Sequence, residues 1–207
     1  ELGDMGGTAP EILRTADPAL TLPKAPDDET DSLLLRSGIP PRGNYLCFAL
    51  RRWKGFEEKA PFFCAAAEYA YRVYGLTPVF LAAEKHQDPG AGQLVARGLS
   101  IPHYFLNDPG GAGTIIGALS RMQAVVAMRL HALIFAAGQG VPLAGVVYDP
   151  KVSAFLRYIG QEQFVDLADL TEANLRSMID QCMVQAKNPE IQEAAVRKLE
   201  AMEQKNV

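Results

Sequence analysis

Cationic and histidine side chains stand where two helices are expected to begin. Arg129 and His131 flank the start of the apolar segment 130–137. Lys151 follows an Asp-Pro pair at 149–150. A cation at a helix N-terminus opposes the helix dipole, whereas the free backbone N–H groups there bind anions. The pattern therefore indicates a shared site for a phosphorylated or carboxylated substrate.

The elements that must position these residues alternate between strand and helix. Six short apolar runs predict strands, at 45–50, 77–83, 102–106, 124–128, 143–147 and 164–165. Helical spacing and stop signals predict helices at 60–74, 91–97, 114–121, 130–137, 151–159, 171–186 and 189–203. This alternation is typical of a parallel sheet with helices on both faces. The predicted fold class is therefore α/β and Rossmann-like.

Ligands of such sheets bind in the crevice beyond the carboxyl ends of the strands. Four polar segments directly follow predicted strands, at 51–53, 84–88, 129–131 and 148–151. We therefore expect them to converge on one rim of the sheet.

The first 39 residues differ in composition from the rest. Pro23, Pro26 and the acidic run 27–29 predict an extended, loosely packed lead-in over residues 1–39. Residues 40–207 then form one Rossmann-like domain that includes the C-terminal helices. A chain of 207 residues with 48% hydrophobic residues is long enough to bury one such core.

Charge and cysteine usage exclude several classes of function. A net charge of -4 without a long basic run argues against nucleic acid as a partner. Cys47, Cys64 and Cys182 lack metal-ligand spacing, so neither a metal site nor a disulfide framework is expected. No apolar run reaches the ~18 residues of a membrane span, and the first thirty residues do not resemble a signal peptide. We expect a cytoplasmic protein, with a peripheral position at the inner face of the membrane left open.

Four motifs carry a resemblance to a known family. They are RTADPA at 14–19, FALRRW at 48–53, MRLHALIFA at 128–136 and YDPKV at 148–152, of which the last two are the more specific. Over residues 10 to 160 or so, the chain resembles the C-terminal half of the polysaccharide pyruvyl transferase family, particularly its CsaB-type members.

The resemblance implies both a fold and an activity. It implies a two-lobed fold of the GT-B glycosyltransferase type, in which phosphoenolpyruvate donates a pyruvyl ketal to a cell-wall sugar and no cofactor is needed. The acceptor would be a cell-wall glycan or a lipid-linked saccharide. The family's first lobe has no counterpart in this sequence, so we expect the chain to be the donor-binding C-terminal lobe and inactive by itself.

Four residues receive roles in this interpretation. Phosphoenolpyruvate carries a phosphate and a carboxylate, for which Arg129 and Lys151 are the candidate ligands. Arg51 matches the family pattern and is a third candidate for substrate binding. His131 is the candidate catalytic group that moves a proton, because an imidazole can gain or lose a proton near neutral pH, although it could instead stabilise the leaving phosphate.

Other residues have structural interpretations. Asp149 is interpreted as a helix N-cap and His103 as structural, and the loop 86–88 as an ordinary polar loop. Trp53 is either a core anchor or a surface on which a sugar stacks.

Two further functions stay open at this stage. A nucleotide-sugar glycosyltransferase of the same GT-B fold would use the cations to hold a diphosphate. A non-catalytic binding or assembly module would hold a ligand without turning it over.

Overall fold

The computed structural model describes residues 18–84 and 88–188, together with residues 190, 194, 196, 197, 199 and 201. Most of the helix predicted at 189–203 and the first 17 residues lie outside the described part. These residues contain six strands: β1 (Tyr45–Ala49), β2 (Thr77–Leu81), β3 (Tyr104–Leu106), β4 (Ala124–Ala127), β5 (Leu143–Val147) and β6 (Phe164–Asp166). The helices are α1 (Asp27–Arg36), α2 (Phe56–Tyr74), α3 (Pro89–Ala96), α4 (Ala112–Leu119), α5 (Leu130–Gly138), α6 (Pro150–Tyr158) and α7 (Glu172–Ala186).

All strand pairs of the sheet are parallel, in the order β3-β2-β1-β4-β5-β6. Strand β1 lies between β2 and β4, with Cys47 opposite Val79 on one side and Val125 on the other. The chain moves outward in one direction through β2 and β3, and then in the other direction from β4 to β6. The strand order therefore reverses between β1 and β4, which is the position where open α/β sheets bind ligands.

The sheet separates two hydrophobic cores. Cys47 and Ala49 of β1 belong to the core that also contains residues of α1, α4 and α5. Leu46 and Phe48 belong to the opposite core, with residues of α2, α3 and α7. Successive residues of a strand point to opposite faces, so a strand covered on both sides is apolar throughout. This explains the uninterrupted apolar runs and confirms the predicted fold class.

The segment 18–39 is not the extended lead-in that its composition predicts. It contains a 3-10 turn at Pro18–Thr21 and the helix α1, whose Leu33 and Leu34 are fully buried. The acidic run 27–29 forms the first turn of α1, where carboxylates are favoured by the helix dipole. The acidic residues that predict a loop from composition therefore stabilise the start of a helix. The division of the chain into two parts at residue 39 stays a prediction.

Within the described ranges, no helix is long and apolar enough to cross a lipid bilayer.

Candidate functional site

Two arginines follow the strands on either side of the switch point. Arg51 comes two residues after β1, and Arg129 comes two residues after β4. The two strand ends are joined, because the backbone N–H of Met128 donates to the carbonyl of Ala49 at 3.0 Å. The fold therefore brings two guanidinium-bearing residues that are far apart in sequence to neighbouring positions on the rim, as the sequence predicts.

Arg129 is held by a buried carboxylate. Its Nε lies 3.3 Å from Oδ2 of Asp88, and the two side chains are 17% and 0% exposed. Oδ2 of Asp88 also accepts the backbone N–H of Glu84 at 2.8 Å. Oδ1 of Asp88 is buried and has no hydrogen-bond partner among the residues that the structure describes. A guanidinium held through Nε in this way keeps a fixed orientation. Its two terminal nitrogens are then left to bind a ligand.

The Asp88 carboxyl is also electrostatically unusual. Burial raises its pKa above the ordinary value, although the positive charge of Arg129 and the amide of Glu84 act in the opposite direction. The sequence predicts a polar loop at 86–88 and gives no indication of this role for Asp88. His86 and Gln87 lie outside the described residues. Asp-Pro pairs occur at 17–18, 88–89, 108–109 and 149–150, so the pair at 88–89 does not by itself distinguish Asp88.

The N-terminus of α5 is suited to an anion. Arg129 is its N-cap residue, with extended backbone, and no side chain of the described residues caps the helix start. His131 is the second residue of α5 and is exposed, with its ring 6.0 Å from that of Phe135. Uncapped backbone N–H groups, a guanidinium and an accessible imidazole thus occur within three consecutive residues. Such a set can bind an anionic oxygen and exchange a proton with it.

Lys151 has a different environment from the one predicted. The carboxylate of Asp149 caps α6 by accepting the backbone N–H of Lys151 at 3.0 Å, which confirms Asp149 as the N-cap. Nζ of Lys151 lies 3.6 Å from the other oxygen of Asp149, and the lysine side chain is 60% exposed. A carboxylate therefore already occupies the helix start, and Lys151 offers a ligand its side chain alone. Its substrate-binding role stays a prediction.

Arg51 is surrounded by two aromatic rings. Its Cζ lies 5.6 Å from the ring centroid of Trp53 and 5.7 Å from that of Tyr148, and Nη1 lies 3.5 Å from the Tyr148 hydroxyl. The two aromatic rings are themselves 4.9 Å apart and inclined at 54°. Arg51 therefore links the loop after β1 to the loop after β5 through cation–π contacts.

A cleft of about 790 Å³ opens beside these rings. Its walls are formed by the segments 53–55, 58–59, 147–150 and 166–168, together with residues 153 and 157. We call it the aromatic cleft. Arg51, Arg129 and His131 are not among its lining residues, so the predicted anion site and the aromatic cleft are distinct parts of the rim.

The contacts and burial of His103, Cys47 and Cys182 indicate structural roles for these side chains. Nδ1 of His103 lies 3.0 Å from the carbonyl of Ile101, and its ring packs edge-on against Phe80 and Phe105. Burial raises the pKa values of Cys47 and Cys182 to about 12, so neither thiol is ionised at neutral pH. Over the described part of the chain, no group of three or more His, Cys, Asp or Glu residues is arranged to hold a metal ion.

Comparison with known sequences gives the family. The profile of the family described as "Polysaccharide pyruvyl transferase" matches residues 5–150. The chain belongs to the polysaccharide pyruvyl transferase family. No curated protein sequence matches it significantly. The matched range contains Arg51, Arg129 and His131 and ends one residue before Lys151.

Solved structures give the fold. E. coli ADP-heptose LPS heptosyltransferase II is 13% identical, with a TM-score of 0.61 over 79% of this chain and 54% of that one. The glycosyl transferase family 9 protein from Veillonella parvula DSM 2008 is 14% identical, with a TM-score of 0.57 over 77% and 51%. Glycosyltransferase VinC, solved with dTDP, is 17% identical, with a TM-score of 0.54 over 88% and 42%. The chain thus has the fold of a GT-B lobe and spans about half the length of the first two structures.

Proposed function

We propose that this chain is the donor-binding lobe of a transferase that moves a pyruvyl group from phosphoenolpyruvate to a polysaccharide or its lipid-linked precursor. Family membership supports the reaction class. The observation that carries the proposal is the placement of Arg51 and Arg129 at adjacent strand ends, on the two sides of the switch point. Two cationic groups at this position suit a small substrate with two anionic groups.

The donor's two anions can be assigned to two kinds of ligand. Arg129 and the N-terminal amides of α5 offer hydrogen bonds and a partial positive charge, which suit a phosphate. Arg51, held between Trp53 and Tyr148, offers a second guanidinium for the carboxylate. Lys151 adds a flexible positive charge from the neighbouring helix start and does not need fixed geometry to act.

The reaction needs a group that moves protons close to the phosphate. A sugar hydroxyl loses its proton as its oxygen forms a bond to C2 of phosphoenolpyruvate, and C3 gains a proton. The C2–O bond to phosphate then breaks, and a second hydroxyl closes the ketal and loses its proton. His131 is exposed beside Arg129, where its imidazole can deliver or accept one of these protons, or donate a hydrogen bond to the leaving phosphate.

The acceptor requires more than this lobe in our proposal. The rim residues form an open surface, and in a two-lobed transferase a second lobe would supply the opposite wall of the cleft. Closing that wall excludes water and orients the acceptor, and orientation accounts for many powers of ten in rate.

Ligand binding to the 207-residue chain tests the donor assignment. Phosphoenolpyruvate should raise the melting temperature by mass action, and Arg129→Ala and Arg51→Ala should each reduce that shift. Arg72→Ala is the matched control, because Arg72 is an exposed arginine of α2 that pairs only locally with Glu68 in the described structure. Unchanged phosphoenolpyruvate binding in both rim variants would contradict the proposal. Stabilisation by UDP-sugars instead of phosphoenolpyruvate would favour a nucleotide-sugar glycosyltransferase.

A further inference from the structure

We propose that the aromatic cleft is a binding subsite for an uncharged pyranose unit of the acceptor saccharide, with Trp53 and Tyr148 as its stacking surface. This inference rests on the proposed function for the identity of the acceptor, but the binding itself can be measured without any transfer reaction.

The aromatic corner of the cleft has the geometry that a sugar ring requires. Trp53 is 44% exposed, and its ring meets that of Tyr148 at 54° with the centroids 4.9 Å apart. Both residues line the cleft. One face of a pyranose is rich in C–H groups and packs on an indole, while a second, inclined ring restricts its position. The volume of about 790 Å³ lies within the range of about 300–1,000 Å³ typical of small-molecule sites.

The charges of the cleft favour a neutral ligand. Six charged side chains of the described residues line it, three cationic and three anionic: Lys54, Lys59, Arg157, Glu58, Asp149 and Asp166. One of the cations is used internally, because Nζ of Lys59 donates to the carbonyls of Ala168 at 2.8 Å and Leu170 at 3.0 Å. The cleft therefore has no excess of positive charge with which to hold a diphosphate.

The acidic groups of the same wall suit sugar hydroxyls. Ionised carboxylates only accept hydrogen bonds, and hydroxyl groups are donors of matching strength. Glu58 and Asp166 are both exposed at the cleft. They offer acceptors to a saccharide, whereas they would repel a phosphorylated ligand.

Arg51 connects this cleft to the donor site. Its guanidinium contacts both rings of the aromatic corner and follows the strand next to that of Arg129. A sugar stacked on Trp53 would therefore lie close to a donor held by Arg51. The two sites therefore differ in the charge of the ligand that they bind. The arginines bind the anionic donor, and the aromatic rings bind the neutral acceptor.

The fluorescence of the chain provides a direct assay, since Trp53 is its only tryptophan. N,N′-diacetylchitobiose, cellobiose and galactobiose are titrated into the 207-residue chain, with UDP and phosphoenolpyruvate titrated separately. We expect at least one disaccharide to change the Trp53 emission saturably, in the presence and in the absence of phosphoenolpyruvate. A saturable change with UDP alone, or none with any disaccharide at millimolar concentration, would overturn the inference.

Variants then localise the binding by calorimetry. Trp53→Ala should weaken disaccharide binding by about tenfold or more, as expected for loss of an aromatic surface that the bound sugar would cover, while Trp53→Phe retains much of the affinity. The control is Val184→Ala, which shortens a different exposed apolar side chain that lies on α7. Equal disaccharide affinity in Trp53→Ala and the control would contradict the subsite. Failure of phosphoenolpyruvate alone to bind would contradict the proposed function and leave a Trp53-dependent saccharide site intact.

Discussion

The buried carboxylate of Asp88 lies 3.3 Å from the Nε atom of Arg129, so the start of α3 and the start of α5 are joined across the rim formed by the carboxyl ends of the strands. Asp88 follows β2 and Arg129 follows β4, on the two sides of β1. A guanidinium fixed through Nε presents its terminal nitrogens in one direction. We infer that Asp88 is a positioning residue for the arginine that would bind the phosphate.

Replacement of Asp88 by asparagine tests this positioning. Asp88→Asn keeps the size of the side chain but removes its charge, so Arg129 is less restrained and phosphoenolpyruvate should bind about tenfold more weakly, equivalent to one charge-assisted hydrogen bond. Calorimetry measures the affinity, and Asp28→Asn on the exposed start of α1 is the control. Equal affinities in the wild type and in Asp88→Asn would show that Arg129 needs no partner.

The raised pKa of Asp88 predicts a specific pH dependence of stability. Because burial favours the protonated form, the folded chain binds this proton more tightly than the unfolded chain. Stability contributed by Asp88 should therefore be largest at low pH and decrease as the pH rises from 3.8 through the raised pKa. Urea unfolding over this pH range measures the free energy of unfolding of the wild type and of Asp88→Asn. The value for the wild type should fall relative to that for Asp88→Asn as the pH rises. If the free energy of unfolding of the wild type instead rises relative to that of Asp88→Asn, the ion pair with Arg129 outweighs the effect of burial.

His131 is predicted to contribute to turnover and little to stability. Its side chain is exposed, so His131→Ala should leave the melting temperature nearly unchanged. In the two-lobed enzyme that we propose, the same change should lower kcat by ~10² or more, as for loss of a general acid or base. A pH–rate profile separates the roles, since loss of a proton-transfer group removes one limb of the profile. More than half of the wild-type turnover in His131→Ala would exclude it from the mechanism.

Replacement of Lys151 should affect ligand binding, whereas replacement of its neighbour Asp149 should affect stability. Lys151→Ala removes an exposed cation from a helix N-terminus and should change stability little, while weakening phosphoenolpyruvate binding. Asp149→Ala removes the cap of α6 and should cost ~1 kcal/mol of unfolding free energy, which corresponds to a decrease of about 2–4 °C in melting temperature. Thermal unfolding and calorimetry of both variants check the pair. Loss of stability in Lys151→Ala without loss of affinity would assign it a structural role.

The sequence was sufficient to predict the sheet, because strands buried on both faces are apolar throughout and are separated by helices of regular spacing. Helix α1 was missed because its acidic start and preceding prolines resemble a loop, and its stability depends on burial of Leu33 and Leu34, which is a tertiary effect. The contact of Asp88 with Arg129 joins residues 41 positions apart, and local patterns carry no information on such a pairing. The aromatic corner of Trp53 and Tyr148 was unpredictable for the same reason.

Acceptor-dependent release of inorganic phosphate from phosphoenolpyruvate tests the central claim most directly. The assay uses an amino-sugar disaccharide, free or lipid-linked, with the 207-residue chain alone and with the first lobe of a family member added, and Arg129→Ala as the inactive reference. We predict no release by the chain alone, release when the added lobe completes the cleft, and loss of that release in Arg129→Ala. Phosphate release that is unaffected by Arg129→Ala, or that the isolated chain catalyses by itself, would contradict the placement of the donor site and the division between the two lobes.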